Sequence, residues 1–140
     1  FLIVNQLKDL GCLLDRHITY NSLLNGKRFR VMTAAEIANG GADPAITLTT
    51  ADHGVTLLAT GADANVAVTI PDPKIGLEFT FIANVATHSL VIDSASNDTF
   101  CLPGDVAADS LTLAPGESAT FVGISATQYA VMNYTQVDAT

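Results

Sequence analysis

Val66-Ala67-Val68-Thr69-Ile70-Pro71-Asp72-Pro73-Lys74-Ile75-Gly76-Leu77-Glu78-Phe79-Thr80-Phe81-Ile82-Ala83-Asn84 contains two period-two runs on either side of a proline and glycine turn. Val66, Val68 and Ile70 project to one side of an extended chain, and Leu77, Phe79 and Phe81 do the same in the second run. Successive side chains of a strand alternate between its faces. Pro71 and Pro73 stiffen the connection, and Gly76 permits a tight entry into the second run. A strand, a short loop and a second strand point to a β fold.

The pattern extends both ways from this stretch. Upstream stand Ile46 and Leu48, then Val55, Leu57 and Ala59. Downstream come Leu90 and Ile92, Phe100 and Leu102, Leu111 and Leu113, Ala119 and Phe121, and Tyr129 and Val131. Turn signals separate the runs at Asp52-His53-Gly54, Gly61 to Asn65, Asn84 to Thr87, Ser94 to Asp98, Pro103-Gly104 and Ala114-Pro115-Gly116,. Pro115 and Gly116 fit positions i+1 and i+2 of a type II turn. Short strands so punctuated predict an all-β fold, a small antiparallel β-sandwich or barrel over residues 42–140. Parallel neighbours would require helical crossovers of about a dozen residues, and none is written here.

Residues 1–41 follow a different rule. Leu2, Ile3, Leu7, Leu10, Leu13 and Leu14 share one broad stripe of a helix, which predicts a short helix from about Val4 to Arg16,. Ile18, Thr19 and Tyr20 end it, and loop signals follow at Asn21-Ser22 and Asn25-Gly26. Thr33 stands three before Glu36, the spacing of a capping box, and Asn39-Gly40-Gly41 closes the turn it opens. The segment reads as an N-terminal arm, a helix plus an extended piece, that is loose by itself and suited to docking.

Charge is segregated between these parts. The chain has 140 residues and a net charge of −8. Residues 1–40 carry +2, whereas the rest has Lys74 as its lone base among eleven acids. So acidic a body repels phosphates, so no nucleic acid partner is expected. Apolar residues make up 49% of the chain, enough for a core, yet no stretch reaches the roughly 18 consecutive apolar residues of a membrane helix, so no membrane partner is expected either,. Lys27, Arg28 and Arg30 surround Phe29, a cationic patch with an apolar anchor and the candidate partner-binding site of the arm. Thr56, Thr69 and Thr80 lie opposite core positions in their strands, where charge is scarce, and form the candidate oligomer interface.

The residues able to do chemistry are scattered. Cys12 and Cys101 form no metal-binding spacing and read as buried free thiols. His17, His53 and His88 have no nucleophile-elbow motif beside them, and adjacent strand residues such as His88 and Ser89 point to opposite faces. Asp93, Asn97 and Asp98 are oxygen-rich but lack the calcium-loop spacing and its bidentate glutamate. There is no tryptophan to stack on a sugar, and Tyr20, Tyr129 and Tyr134 read as core or arm contacts,. The expectation is a protein that is not an enzyme, with no cofactor and no metal.

The order of these elements resembles a β-module of tailed-bacteriophage virion proteins. It begins with the Val66–Ile70 run, Pro71, Gly76 and Phe79-Thr80-Phe81-Ile82-Ala83-Asn84. It continues through His88-Ser89-Leu90-Val91-Ile92 and Asn97-Asp98-Thr99-Phe100 to the late Pro115-Gly116-Glu117-Ser118 turn and Gln128-Tyr129-Ala130-Val131. The resemblance covers about residues 46–134, with Tyr129 where a common form of the pattern has tryptophan. Such modules occur in head decoration or cement proteins, head fibres and tail-fibre domains. The resemblance implies a noncatalytic structural protein of the virion, assembled in the host cytoplasm and often a homotrimer. Most concretely it implies a capsid decoration protein that binds the major capsid protein or another virion protein and stabilises the phage head. The alternative is a tail-fibre or head-fibre domain that binds a host receptor or carbohydrate, and Phe1 in place of methionine keeps that reading open.

Overall fold

A computed structural model describes residues 28–37, 44–62, 64–104 and 106–135. The described elements are β1 Arg28–Val31, α1 Ala34–Ile37, β2 Ala45–Thr47, β3 Val55–Thr60, β4 Val66–Ile70, β5 Glu78–Asn84, β6 Leu90–Ser94, β7 Thr99–Leu102, β8 Val106–Ala108, β9 Ser110–Leu113, β10 Ser118–Gly123 and β11 Gln128–Thr135, with a 3-10 turn at Thr50–Asp52. They build a seven-stranded sheet in the order β1-β3-β5-β10-β11-β7-β8 and a four-stranded sheet in the order β2-β4-β6-β9. The all-β class is as expected. The helix predicted over Val4 to Arg16 lies outside the described residues.

Pairing within the sheets is mixed rather than antiparallel. From β1 to β6 the chain changes sheet at every step, so β3 returns beside β1 and β5 beside β3, while β4 and β6 extend β2, all parallel. A parallel pair does need a crossover, but a strand of the opposite sheet supplies it here in place of a helix. The offset is 24 residues in two ladders, with Val55 opposite Phe79 and Val66 opposite Leu90. Side chains repeat the same interval. Asn84 Nδ2 donates to Thr60 Oγ1 at 3.3 Å, the Ser89 N–H to Asn65 Oδ1 at 2.9 Å, and Ser96 Oγ to Asp72 Oδ1 at 2.7 Å. Beyond β6 the chain closes the winding with antiparallel strands, β9 on β6 and β10 between β5 and β11. β7 then lies parallel to β11 and antiparallel to β8.

One core joins the two sheets, and they fill it differently. The larger sheet contributes Leu57, Phe79, Phe81, Phe100, Phe121 and Tyr129, while the smaller contributes Ile46, Val68, Ile70, Leu90, Ile92 and Leu113. Phe121 meets Phe81, Phe100 and Tyr129 nearly edge-on, at centroid distances of 5.5, 4.9 and 6.4 Å. Each such ring pair adds about 0.5–1.5 kcal/mol beyond the area it buries.

Local signals account for the turns. Gly116 has a φ of 86° and the Glu117 N–H donates to Ala114 O at 3.0 Å, the type II geometry expected of Pro115-Gly116,. The Thr33 and Glu36 capping box opens α1, with the Thr33 N–H donating to Glu36 Oε2 at 2.7 Å. A second box, Thr49 with Asp52, opens the 3-10 turn. At Gly123 the backbone lies so close to the Pro71–Gly76 loop that a Cβ would stand 2.0 Å from Lys74 O, so only glycine fits,.

Candidate functional site

Strand alternation sorts the outward residues of the sandwich into two unlike faces. On the seven-stranded sheet one row of the register runs Phe29, Thr56, Thr80, Thr120 and Met132, and the next runs Val31, Leu58, Ile82 and Ser118. Val122, Ala130, Cys101 and Ala107 extend the face toward β8. Among the described residues its one ionised side chain is Glu78, at the end of the row that Val122 shares. Phe29 is 69% exposed, Val31 51% and Met132 45%. At the centre Thr56 is buried, and Thr80 Oγ1 and Thr120 Oγ1 share a hydrogen bond of 3.0 Å. The face is poor in charge and shallow along the threonines, with Phe29 and Val31 at the β1 margin and Met132 on β11.

The four-stranded sheet presents Ala45, Thr47, Ala67, Thr69, Val91, Asp93, Ser110 and Thr112. Nothing there is larger than Val91. The three threonines singled out from the sequence are therefore separated: Thr56 and Thr80 are neighbours on one sheet, whereas Thr69 sits on the opposite side of the sandwich.

The basic cluster is also divided by alternation. Lys27 lies outside the described residues. Arg28 and Arg30 are on the inward side of β1, and Phe29 is on the outward side. One Arg28 nitrogen, Nη2, donates to Ala51 O at 3.0 Å and to His53 O at 2.8 Å. Arg30 is ion-paired with Glu36. The Arg28 bonds and the ladder to β3 tie β1 to the body as a marginal strand, while the Arg30 pair joins it to α1, so the end of the sequence-defined arm is part of the large sheet. The signal was present in the alternation of Arg28, Phe29, Arg30 and Val31, but four residues with two cations read equally well as an extended connection.

Two of the candidate chemical groups, His53 and Tyr129, make hydrogen bonds within the fold. His53 Nδ1 accepts the Glu78 N–H at 3.1 Å, between β3 and β5. Tyr129 donates its hydroxyl to Pro71 O at 2.7 Å, and burial, aided by the Asp98 and Asp72 carboxylates, holds its phenol well above the ordinary range,. The Asp98 N–H donates to Ser94 Oγ, while Asp98 Oδ2 and Arg28 Nε are buried without a partner among the described residues. Cys101 is a free, half-buried thiol, whereas Cys12 and His17 lie outside the described residues. Among the described residues no group of three or more His, Cys, Asp or Glu side chains is placed to hold a metal ion.

The described residues also line two open recesses. A notch of about 310 Å³ is lined by Thr50, His53, Lys74, Ile75, Gly76 and Leu77, and above it Ile75 is 84% exposed. A groove of about 350 Å³ lies between Leu102, Pro103, Val106 and Tyr134 near the β8 margin. Neither converges a nucleophile, a base and an acid, the arrangement that acid-base or covalent chemistry requires. The geometry offers one broad face poor in charge, whose marginal strand β1 carries Arg28 and Arg30 on its inward side. The chain matches no protein-family model and no curated protein.

Proposed function

We propose that this is a noncatalytic structural protein of a virion, most concretely a capsid decoration protein that binds and stabilises a phage head as an oligomer. The observation that carries the reading is the outer face of the seven-stranded sheet, where Phe29, Val31 and Met132 stand exposed and Glu78 is the one ionised residue among those described. Exposed apolar patches of this breadth mark surfaces that bind other macromolecules. The basic N-terminal segment enters the fold at the margin of that face, through β1. In this reading residues 1–27, with Lys27 next to the strand, reach the acidic surface of the major capsid protein while the sandwich supplies the assembling body. The order of strands, Pro71, Gly76 and the Pro115-Gly116 turn supports the same assignment through its resemblance to phage virion modules.

One observation favours the fibre alternative. Among the described residues β1 and β2 each have a neighbour on one side only, and both belong to the parallel winding, so an upstream coil can join them in register. Quantitative mass spectrometry of purified particles distinguishes the readings. Hundreds of copies per particle are expected of a decoration protein and a handful of a fibre, and absence of the chain from all particles would overturn both.

A further inference from the structure

We infer that the outer face of the seven-stranded sheet is covered by a second copy of this chain. The inference rests on reading the protein as an assembly component, and it names the partner of that component's widest neutral surface. Three properties of the face lead there: its chemistry, its charge and its size.

Its chemistry is that of a contact surface. Phe29, Val31, Leu58, Ile82, Val122 and Met132 all point outward from it, against Val91 alone on the other sheet. Val31, Leu58 and Ile82 follow one another in one row across β1, β3 and β5, and Phe29, Met132 and Val122 stand around the small threonines Thr56, Thr80 and Thr120.

Charge selects the partner. Each copy carries a net −8, so two copies repel unless their carboxylates stay apart and solvated,. Contact through this face leaves Glu78 at the edge and, among the described residues of the face, requires no other carboxylate to be buried. A strongly basic partner, by contrast, gains nothing from a surface with so little charge, and would be drawn to the acid-bearing turns. The face therefore suits another neutral face, and the chain itself provides one of equal outline.

Size excludes the nearest competitor. Seven strands have six spacings of about 4.8 Å, giving a width of roughly 29 Å, and about six residues per strand give a height of roughly 20 Å. The flat outline is therefore roughly 600 Å² before side-chain relief, close to the roughly 800 Å² per partner of a stable interface. A single helix is about 10 Å across. As the helix expected of residues 2–14, the leucine-striped segment would cover only about a third of that width, less than a second sheet covers.

Light scattering of the purified full chain tests the inference. The expected mass is two or more times the 14.6 kDa of one chain at high concentration and moderate salt. Phe29→Lys combined with Met132→Lys changes two exposed side chains and should return a single-chain mass with an unchanged circular dichroism spectrum. Thr112→Lys, on the exposed outer side of β9, should leave the assembly intact. If the double variant loses its fold, Val31→Lys alone provides the same reading.

A strictly monomeric full chain overturns the inference. It is equally overturned if Thr112→Lys dissociates the assembly and Phe29→Lys with Met132→Lys does not. A chain that is monomeric until residues 1–26 are removed, and then assembles, identifies the N-terminal segment as the cover and also overturns it. The virion reading fails separately: assembly through this face by a chain absent from particles leaves the present inference standing and removes the other.

Discussion

The two sheets share one core but divide its composition and its exterior between them. The seven-stranded sheet places five aromatic rings inside and large apolar side chains, Phe29 among them, outside, whereas the four-stranded sheet is aliphatic inside and carries small, mostly polar residues outside. Because an interior is close-packed, the ring cluster around Phe121 resists the loss of a member more than the aliphatic layer resists the loss of a methyl group. On the exterior the difference separates a surface made to be covered from one that water can cover. A sheet with one solvated face needs only alternation of apolar and polar residues, and the smaller sheet has that.

The largest effect expected from this asymmetry is at Phe121, whose ring touches three others. Phe121→Ala should cost about 3–5 kcal/mol in denaturant unfolding. A loss below about 2 kcal/mol would mean that the aromatic side of the core collapses readily and is no more demanding than the aliphatic side.

Tyr129 adds a polar link to that cluster, and Tyr129→Phe should cost about 1–2 kcal/mol because Pro71 O loses its donor in a half-buried place,. The same substitution removes a dependence on pH. Its phenol is raised in the folded protein, so the unfolded chain loses this proton first on going alkaline, and folding becomes less favourable as pH rises,. The contribution is complete below the ordinary tyrosine value of about 10 and should decline by up to about 1.4 kcal/mol per pH unit above it. Unfolding free energies of both proteins, measured from pH 8 to 11, should converge at the alkaline end, and parallel curves would contradict the assignment.

On the aliphatic side, Ile92→Val removes one methyl group from a fully buried chain and should cost about 1 kcal/mol,. The smallest effect belongs to the outer side of the smaller sheet. Thr69 is opposite Asp93 in the β4 to β6 ladder, so Thr69→Lys creates a cross-strand pair of opposite charge, and stability should rise or stay level within about 0.5 kcal/mol,. A loss above 1 kcal/mol would show that this face, too, is covered.

The strands themselves were legible because inward residues such as Val66, Val68 and Ile70 alternate cleanly with Ala67 and Thr69. Pro115-Gly116 and the Thr33 with Glu36 spacing identified their turns for equally local reasons. Sheet membership was not legible. Val55 and Val66 begin similar runs, yet β3 and β4 join different sheets, and a period of two says which side a residue faces but not which neighbour it pairs with. For the same reason Thr56 and Thr69 looked like parts of one interface. The expectation of antiparallel pairing failed because it assumed that a crossover must be helical. β8 was missed since Val106, Ala107 and Ala108 are short and largely exposed, leaving little pattern to read.

The 24-residue winding also bears on how such a molecule changes length. Each full coil contributes one strand to each sheet and makes its main contacts with the coils next to it, so stability in that part accrues unit by unit, as in solenoids,. A duplicated block beginning at Val55 would bring its own Thr60, Asn65 and Asp72, the side chains that bond to the following coil. The expected product has both sheets one strand wider and the same closing strands β9, β10 and β11 at its end. Growth by whole coils would extend the body without redesign of its core, a route by which one β-module can span gaps of different size.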